Sequence, residues 1–212
     1  MAASLRLMGM RWWLIVVAIM LCGCRAESGS SYVPQHGDLV FQSLEGGGLV
    51  AAIEGVTESP LSHCGIVMVD GDQVQVIEAF SSVEITPWAE FVLRGEQEAF
   101  TVYRCAQLTE EQRQDFVTAA RSYLGRPYDI HYAFDNREIY CSELIYLAWQ
   151  QTCDGELAAP ETLGSLNWEP HEAFIRTIER GGLPLEREMI TPVALTRSPQ
   201  LEQVYRYGEF LP

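Results

Sequence analysis

The chain has 212 residues, of which 48% are apolar and 20% charged, and its formal net charge is −15. This composition is typical of a globular protein, and the length favours a single domain. Binding to DNA or RNA rests on clustered positive charge, so the acidic excess argues against a nucleic-acid partner. All 14 basic residues are arginines, which excludes a lysine nucleophile, a Schiff-base lysine and a phosphate-loop lysine.

The N-terminal segment carries the features of an export signal. Arg6 and Arg11 precede the apolar run 12–21. That run is shorter than the about 20 residues that a transmembrane helix needs, but it has the length of a signal-peptide core. It ends in Leu21-Cys22-Gly23-Cys24, which resembles a bacterial lipobox, where a small residue precedes a cysteine that becomes lipidated.

We therefore expect residues 1–23 to form a lipoprotein signal peptide and residues 24–34 a flexible tether that begins at the lipidated Cys24. Plain secretion and a retained anchor are the alternatives. Lipidation would make a bacterial membrane the partner of the N-terminus and place the protein in the cell envelope on the periplasmic side, with the outer membrane as one option. No obligate protein partner is expected.

Removal of the signal and lipidation of Cys24 would leave four cysteines, Cys64, Cys105, Cys141 and Cys153, in an oxidising compartment. Four cysteines can pair in three ways, so a disulfide is one explanation of Cys141. If Cys141 is instead a nucleophile, at most one disulfide can form. No cysteine pair has zinc-ligand spacing and no histidine pair has helical spacing, so we expect neither a metal nor a cofactor.

Hydrophobic periodicity and turn residues predict a mixed chain of strands and helices. In chain order, strands are predicted at 37–41, 63–69, 72–79, 83–85, 99–104, 189–195 and 203–207. Helices are predicted at 49–54, after Pro87, from Thr109 to Leu124, from Cys141 onward and at 171–180. Thr109 and Gln112 have capping-box spacing, and Gly125 with Pro127 is expected to end the third helix.

The turn after the second strand decides what lies beside His63. Asp70-Gly71 is a strong signal for a two-residue hairpin, and this turn places Glu78 directly opposite His63. A turn at Gly71-Asp72 would place Phe80 opposite His63 but keep Glu78 on the same face, because the side-chain period of a strand is two. Only a three-residue loop would separate them. A carboxylate beside an imidazole fixes its tautomer and stabilises its protonated form.

Cys141 lies where an irregular, aromatic-rich segment turns into an apolar helix. A helix N-terminus lowers the pKa of a thiol, and an imidazole can take the proton to leave a thiolate that attacks an acyl carbon. His63 precedes Cys141 in the chain, which is the reverse of the order in papain. The chain is therefore either circularly permuted, or the pairing is accidental.

Five segments in this order resemble the circularly permuted papain-like amidases of the YiiX and YaeF type, within the NlpC superfamily. They are Gly37-Asp38-Leu39-Val40, Ser59-Pro60-Leu61-Ser62-His63-Cys64-Gly65-Ile66, Val76-Ile77-Glu78-Ala79, Gly125-Arg126-Pro127-Tyr128-Asp129 and Tyr140-Cys141-Ser142-Glu143-Leu144. The likeness covers roughly residues 35–207. It implies an α+β, papain-like core of permuted topology, with an antiparallel sheet packed against helices, in a hydrolase domain at 35–212.

The resemblance also implies a triad in which Cys141 is the nucleophile, His63 the base and Glu78 the orienting residue. Cys64 departs from the family pattern, which has an aliphatic residue there. Strand alternation points Cys64 away from His63, and we interpret it as a buried thiol that leaves the triad intact.

The remaining candidates surround Cys141 in the sequence. Tyr140 and the backbone N–H of Cys141 are candidate oxyanion donors. Glu143 would complement the helix dipole, although a carboxylate within one turn would raise the pKa of the thiol. Tyr128, Asp129 and Asp135 either line the cleft or form turns, and His131 is a competing base.

The predicted function is cysteine-dependent amidase or peptidase-like hydrolysis or acyl transfer. A cell-wall peptide is the first candidate substrate and a lipid acyl group the second. An apolar tunnel beside Cys141 would favour the lipid, and a narrow polar cleft the peptide. The rival from another class is a non-catalytic, ligand-binding lipoprotein of the same fold, which a Cys141–Cys153 disulfide would support.

Overall fold

The structure, a computed structural model, describes residues 32–135 and 137–210. The predicted signal peptide, Cys24 and the tether up to residue 31 lie outside these residues and stay predictions. Within the described ranges, no helix has the length and apolar character needed to cross a bilayer.

Eight strands and six α-helices form the described part of the chain. The strands are β1 Leu39–Gln42, β2 His63–Asp70, β3 Gln73–Ala79, β4 Val83–Pro87, β5 Phe100–Arg104, β6 Glu161–Thr162, β7 Glu188–Met189 and β8 Glu202–Tyr207. The helices are α1 Gly48–Thr57, α2 Trp88–Leu93, α3 Glu110–Arg121, α4 Cys141–Thr152, α5 Glu172–Ile178 and α6 Pro192–Thr196.

Six strands form one antiparallel sheet in the order β4-β3-β2-β1-β5-β8, and β6 pairs with β7 separately. Because side chains alternate along a strand, each face of the sheet has its own core. One face packs against α3 and α4 through residues that include Phe41, Cys64, Ile66, Ile77, Phe116, Leu144 and Trp149. The other face carries Val40, Val67, Val76 and Val102 and is covered by Phe91 and Trp88 of α2. The predicted α+β sheet-and-helix architecture is therefore confirmed.

The β2–β3 hairpin adopts the second of the two predicted registers. Gly65 pairs with Glu78 and Asp70 with Gln73, so the turn is Gly71-Asp72, and the prediction of an Asp70-Gly71 turn is wrong. Gly71 has φ +57, as both common hairpin turns require at their first central position. Glycine adopts that conformation at less cost than an aspartate.

The capping box of α3 is confirmed. Thr109 Oγ1 accepts the backbone N–H of Gln112 at 3.2 Å, and Gln112 Oε1 accepts that of Thr109 at 2.9 Å. The helix ends at Arg121, earlier than the predicted Leu124, and turns continue to Gly125, whose φ is +85.

The predicted strand at 189–195 is wrong. Only Glu188–Met189 is extended, and Pro192 begins α6. Proline suits the first position of a helix because it has no N–H to satisfy there. Thr191 Oγ1 accepts the backbone N–H of Ala194 at 3.1 Å and caps the helix. The apolar run resembles a strand in sequence, but its cap and its proline determine the local structure.

Candidate active site

Cys141 is the first residue of α4 and is almost completely buried, with 1% of its surface exposed. Its two neighbours attach the start of the helix to the segment after β7. Ser142 Oγ donates to the carbonyl of Ile190 at 2.7 Å, and the hydroxyl oxygen of Tyr140 accepts the backbone N–H of Ile190 at 3.0 Å. The thiol therefore sits at a helix N-terminus that is fixed from both sides.

His63 and Glu78 form a buried pair on the adjacent strands β2 and β3. Nε2 of His63 lies 2.5 Å from Oε2 of Glu78, and the two side chains are 2% and 0% exposed. Because Nε2 is engaged, only Nδ1 is left for the contact with the Cys141 thiol. The structure thus brings together the three residues that the sequence predicted as a triad.

The electrostatics of the site favour an ion pair. The pKa of the Cys141 thiol is held well below its usual value by hydrogen bonding with Cys64 and then with His63, against the effect of burial. Burial lowers the pKa of His63, but hydrogen bonds and charges of Cys141 and Glu78 outweigh it and raise the pKa to about 9. These shifts favour a thiolate facing an imidazolium, which is the reactive state of a cysteine nucleophile.

Arg94 completes this site and was not identified from the sequence. It follows α2 and donates from Nη2 to Oε1 of Glu78, the oxygen that His63 does not use. Its guanidinium also lies 4.1 Å from the ring centroid of Phe80. Burial opposes ionisation of Glu78, but the bond to His63 and the charge of Arg94 keep its pKa below the usual value. An arginine at the end of a short helix gives no sequence signal for this role.

A pair of tyrosines borders Cys141. The hydroxyls of Tyr128 and Tyr132 are 2.9 Å apart, and the ring centroids of Tyr132 and Tyr140 are 4.5 Å apart. Burial, with the neighbouring charge of Cys141 among the further causes, raises the pKa of both Tyr128 and Tyr132. Both hydroxyls therefore stay protonated and can donate hydrogen bonds. Tyr132 was not identified from the sequence.

The buried carboxylate of Asp129 shapes the loop that carries Tyr132. It accepts the backbone N–H groups of His131 and Ala133 at 2.7 and 2.5 Å. Tyr132 has φ +56, an unfavourable conformation for an aromatic residue that needs support from its surroundings. Of the two alternatives for Asp129, the turn-forming one is correct.

Two other polar candidates, His131 and Asp135, form pairs with residues other than Cys141, His63 and Glu78. Nδ1 of His131 is 3.2 Å from Oε1 of Glu179, whereas the imidazole that hydrogen-bonds to Cys141 is that of His63. This arrangement favours His63 over His131 as the base. Asp135 accepts the backbone N–H and the guanidinium of Arg137, so it too forms a turn.

The four cysteines of the described ranges are free thiols. Cys153 immediately follows α4, at the opposite end from Cys141. A helix rises about 1.5 Å per residue, so the two Cα atoms are roughly 18 Å apart. Disulfide formation needs a Cα separation below about 7 Å. The folded protein therefore excludes the Cys141–Cys153 disulfide.

Glu143, in the first turn of α4, was expected to carry a charge that complements the helix dipole, and the structure differs from this expectation. Its side chain is fully buried, and burial raises its pKa to about 8. Its Oε1 finds no hydrogen-bond partner among the residues that the structure describes. Glu143 is thus mainly neutral at pH 7, so it neither complements the helix dipole with a full charge nor raises the pKa of the Cys141 thiol.

Replacing Glu143 with glutamine is expected to change how stability depends on pH. A carboxyl whose folded pKa of about 8 exceeds its unfolded value of about 4.3 favours unfolding as it ionises. Its effect is absent below pH 4 and grows as the pH rises toward 8. We expect the wild type to lose roughly 2–4 kcal/mol of unfolding free energy across this range relative to Glu143→Gln, after allowance for relaxation toward solvent. Urea unfolding at pH 5 and pH 8 measures the difference.

The exposed Glu90→Gln is the matched control and should follow the wild type at both pH values. Equal pH dependence of the wild type and Glu143→Gln would contradict a buried, neutral Glu143.

An apolar cavity of about 90 Å³ opens beside Tyr132, between α1 and α5. Its lining includes Leu49, Ile53, Tyr132, Phe174, Ile178 and Met189. Three polar side chains at the margin of the cavity are hydrogen-bonded to one another, because Glu179 accepts from Arg187 and pairs with His131. Tyr132 lines this cavity and is also near enough to Cys141 to feel its charge.

Comparison with known proteins identifies relatives along most of the chain. An uncharacterized protein YiiX of Escherichia coli (strain K12) is 29% identical over 177 residues, which are 82% of this chain and 87% of that protein. A crystal structure described as metalloprotein yiiX from Escherichia coli O157:H7 superposes with a TM-score of 0.79 at 28% identity, covering 83% of this chain and 99% of the other.

That neighbour is described as a metalloprotein. In this chain, residues 32–135 and 137–210 contain no group of three or more His, Cys, Asp or Glu side chains placed to hold a metal ion. At the candidate site, Nε2 of His63 is engaged by Glu78, and the other carboxylate oxygen binds Arg94. The donor set therefore does not fit a metal.

The family model described as permuted papain-like amidase enzyme, YaeF/YiiX, C92 family, matches residues 33–205. This match and the structural likeness confirm the resemblance found in the sequence and explain the reversed order of His63 and Cys141. The chain belongs to the YaeF/YiiX family of permuted papain-like amidases.

Proposed function

We propose that this protein is a cysteine hydrolase or acyltransferase that works through Cys141, His63 and Glu78. The single observation that carries the proposal is the buried arrangement of a low-pKa thiol, an imidazole and a carboxylate. Family membership supports amidase-like chemistry. The triad roles, the substrate and the choice between hydrolysis and transfer are part of the proposal.

In this mechanism the Cys141 thiolate attacks the carbonyl carbon, and the C=O electron pair moves onto oxygen. The imidazolium of His63 then gives its Nδ1 proton to the departing nitrogen or oxygen, leaving a thioester on Cys141. Water, or another acceptor deprotonated by His63, attacks the thioester and restores the thiolate. Glu78 stabilises the imidazolium and holds its tautomer throughout.

The developing oxyanion needs hydrogen-bond donors close to the sulfur. The backbone N–H of Cys141 at the helix start is one candidate. Of the two tyrosines proposed from the sequence, Tyr128 suits the second position better, because its hydroxyl lies in the pair beside Cys141. The hydroxyl oxygen of Tyr140 instead accepts the backbone N–H of Ile190, which ties this group to the segment after β7.

Two substrate classes are in competition. A peptide-type amide of the cell wall agrees with the family and with an envelope location. The apolar cavity beside Tyr132 favours the second candidate, a substrate whose acyl group carries an aliphatic chain. Lipidation at Cys24 is part of the proposal and would hold the enzyme near both kinds of substrate.

The proposal can be tested on the full-length protein with two matched series of substrates, amides and thioesters. Within each series only the acyl group differs, which is either a long aliphatic chain or a short peptide. We expect product release by the wild type and by Cys153→Ala, a control at the far end of α4. Faster turnover of the aliphatic series would favour the lipid substrate. Product release that persists in Cys141→Ala would refute the proposed nucleophile.

A further inference from the structure

The apolar cavity between α1 and α5 shares a wall with the candidate active site. The residues on either side of Ile190 belong to the lining of the cavity. Ile190 itself accepts from Ser142 Oγ at 2.7 Å and donates its backbone N–H to the hydroxyl oxygen of Tyr140 at 3.0 Å. Tyr140 and Ser142 are the two chain neighbours of Cys141. The wall of the cavity is therefore hydrogen-bonded to both sides of the proposed nucleophile.

Tyr132 forms a second connection between the cavity and the site. Its side chain lines the cavity, and its ring centroid lies 4.5 Å from that of Tyr140. Ile130, two residues earlier, also lines the cavity and is 44% exposed. The cavity therefore extends from the aromatic surroundings of Cys141 to the protein surface.

The polar side chains of the lining already have hydrogen-bond partners. Thr57 donates to the carbonyl of Ile53 at 2.8 Å, and Thr191 accepts the backbone N–H of Ala194 at 3.1 Å. The others are the mutually bonded His131, Glu179 and Arg187, and the hydroxyl of Tyr132, which pairs with that of Tyr128. A buried peptide needs partners for its N–H and C=O groups, whereas a hydrocarbon needs none. The lining therefore suits a hydrocarbon better than a peptide.

The size of the cavity indicates the shape of that hydrocarbon. Its volume is about 90 Å³, which is smaller than the engineered apolar cavity of roughly 150 Å³ that binds benzene. Leu49 and Ile53 line it from α1, and Phe174 and Ile178 line it from α5. The space between the two helices therefore suits a narrow chain better than a ring.

We propose that this cavity is the acyl-chain pocket of the enzyme, in which an aliphatic chain attached to the reacting carbonyl passes Tyr132, packs between α1 and α5 and ends toward solvent at Ile130. The inference rests on the proposed function and selects the aliphatic acyl group from its two candidate substrates. Apolar contacts hold the chain equally in the ground state and the transition state. Occupation of the pocket should therefore lower KM and leave kcat unchanged.

The experiment measures KM and kcat of the full-length protein on straight-chain acyl thioesters with about two to ten carbons in the acyl group. Burial of one methylene group strengthens binding about fourfold, so KM should fall about fourfold per carbon while the chain fills the cavity. KM should then stay constant, because further carbons emerge at the surface.

Two variants change the size of the pocket. Ala52→Phe places a ring in the cavity from α1 and should abolish the fall in KM without affecting the shortest substrate. Its matched control is Ala51→Phe at the neighbouring, exposed position, which should follow the wild type. Ile178→Ala enlarges the cavity and should move the plateau toward longer chains by about three carbons, the number that it removes.

A KM that does not depend on chain length would overturn the pocket, as would a steady fall without a plateau that is equal in the wild type and Ala52→Phe. Failure of the proposed function looks different. Binding of straight-chain carboxylates to Cys141→Ala, measured by calorimetry, needs no turnover. If this binding shows the same plateau and the same loss in Ala52→Phe, while the wild type cleaves none of the thioesters, the pocket is supported and the proposed nucleophile is refuted.

Discussion

Replacing Cys141 with alanine is expected to reduce turnover by about 10⁴-fold or more while the protein stays folded. In the proposed mechanism the sulfur is the atom that forms the thioester, and Cys141 is the cysteine whose side chain hydrogen-bonds to His63. His63→Ala should cost a comparable factor, because nucleophile and base act as one unit. The double variant should therefore lose little more than either single variant. The measurement is kcat/KM on whichever matched substrate the wild type turns over.

Cys153→Ala serves as the control because it removes a half-buried thiol at the distant end of α4. It should retain wild-type turnover. Strictly additive losses in the Cys141→Ala/His63→Ala double variant would contradict a joint role, even if each single variant were impaired.

Glu78→Gln is expected to lower turnover by about 10²–10⁴-fold, the second largest effect. An amide cannot balance the charge of the imidazolium, and it can hold the ring in the wrong tautomer. Burial already lowers the pKa of His63, and the bond and charge of Glu78 help raise it to about 9. Without them this pKa falls, so the basic limb of the kcat/KM profile should move to lower pH.

A second variant separates the role of the Glu78 carboxylate from that of Arg94, which binds its other oxygen. Arg94→Met removes the partner of Glu78 Oε1 but leaves the His63–Glu78 bond, so it should lose much less activity than Glu78→Gln. The exposed Glu90→Gln should lose none. An unchanged basic limb in Glu78→Gln would show that this carboxylate does not stabilise the imidazolium of His63.

The juxtaposition of His63 and Glu78 was predictable because it depends only on strand parity. The turn lies one residue later than Asp70-Gly71, yet Glu78 stays on the face of His63 in either register. The start of α4 was predictable for a similar reason, because the change from irregular to apolar-periodic sequence coincides with Cys141. Local patterns of period two or of helical period therefore located the three residues of the proposed triad.

The rest of the site depends on contacts between distant segments. Arg94 reaches Glu78 from the end of α2, and Tyr132 reaches Tyr140 through a loop shaped by Asp129. No local periodicity encodes either contact. Cys64 shows the limit most clearly, because alternation correctly pointed it away from His63 but gave no information on what packs against that face of the sheet. The proline that converts 192–196 into a helix was visible, yet the apolar alternation around it favoured a strand.

The most direct measurement is mass spectrometry of the native full-length protein after brief exposure to an acyloxymethyl ketone, which alkylates a nucleophilic thiolate. Intact mass also reports lipidation at Cys24. We predict a single adduct on Cys141 that His63→Ala prevents, with Cys64, Cys105 and Cys153 unmodified. If labelling instead follows the solvent accessibility of the thiols, Cys153 will be modified first and Cys141 will stay unmodified. That result would contradict a cysteine nucleophile at the start of α4.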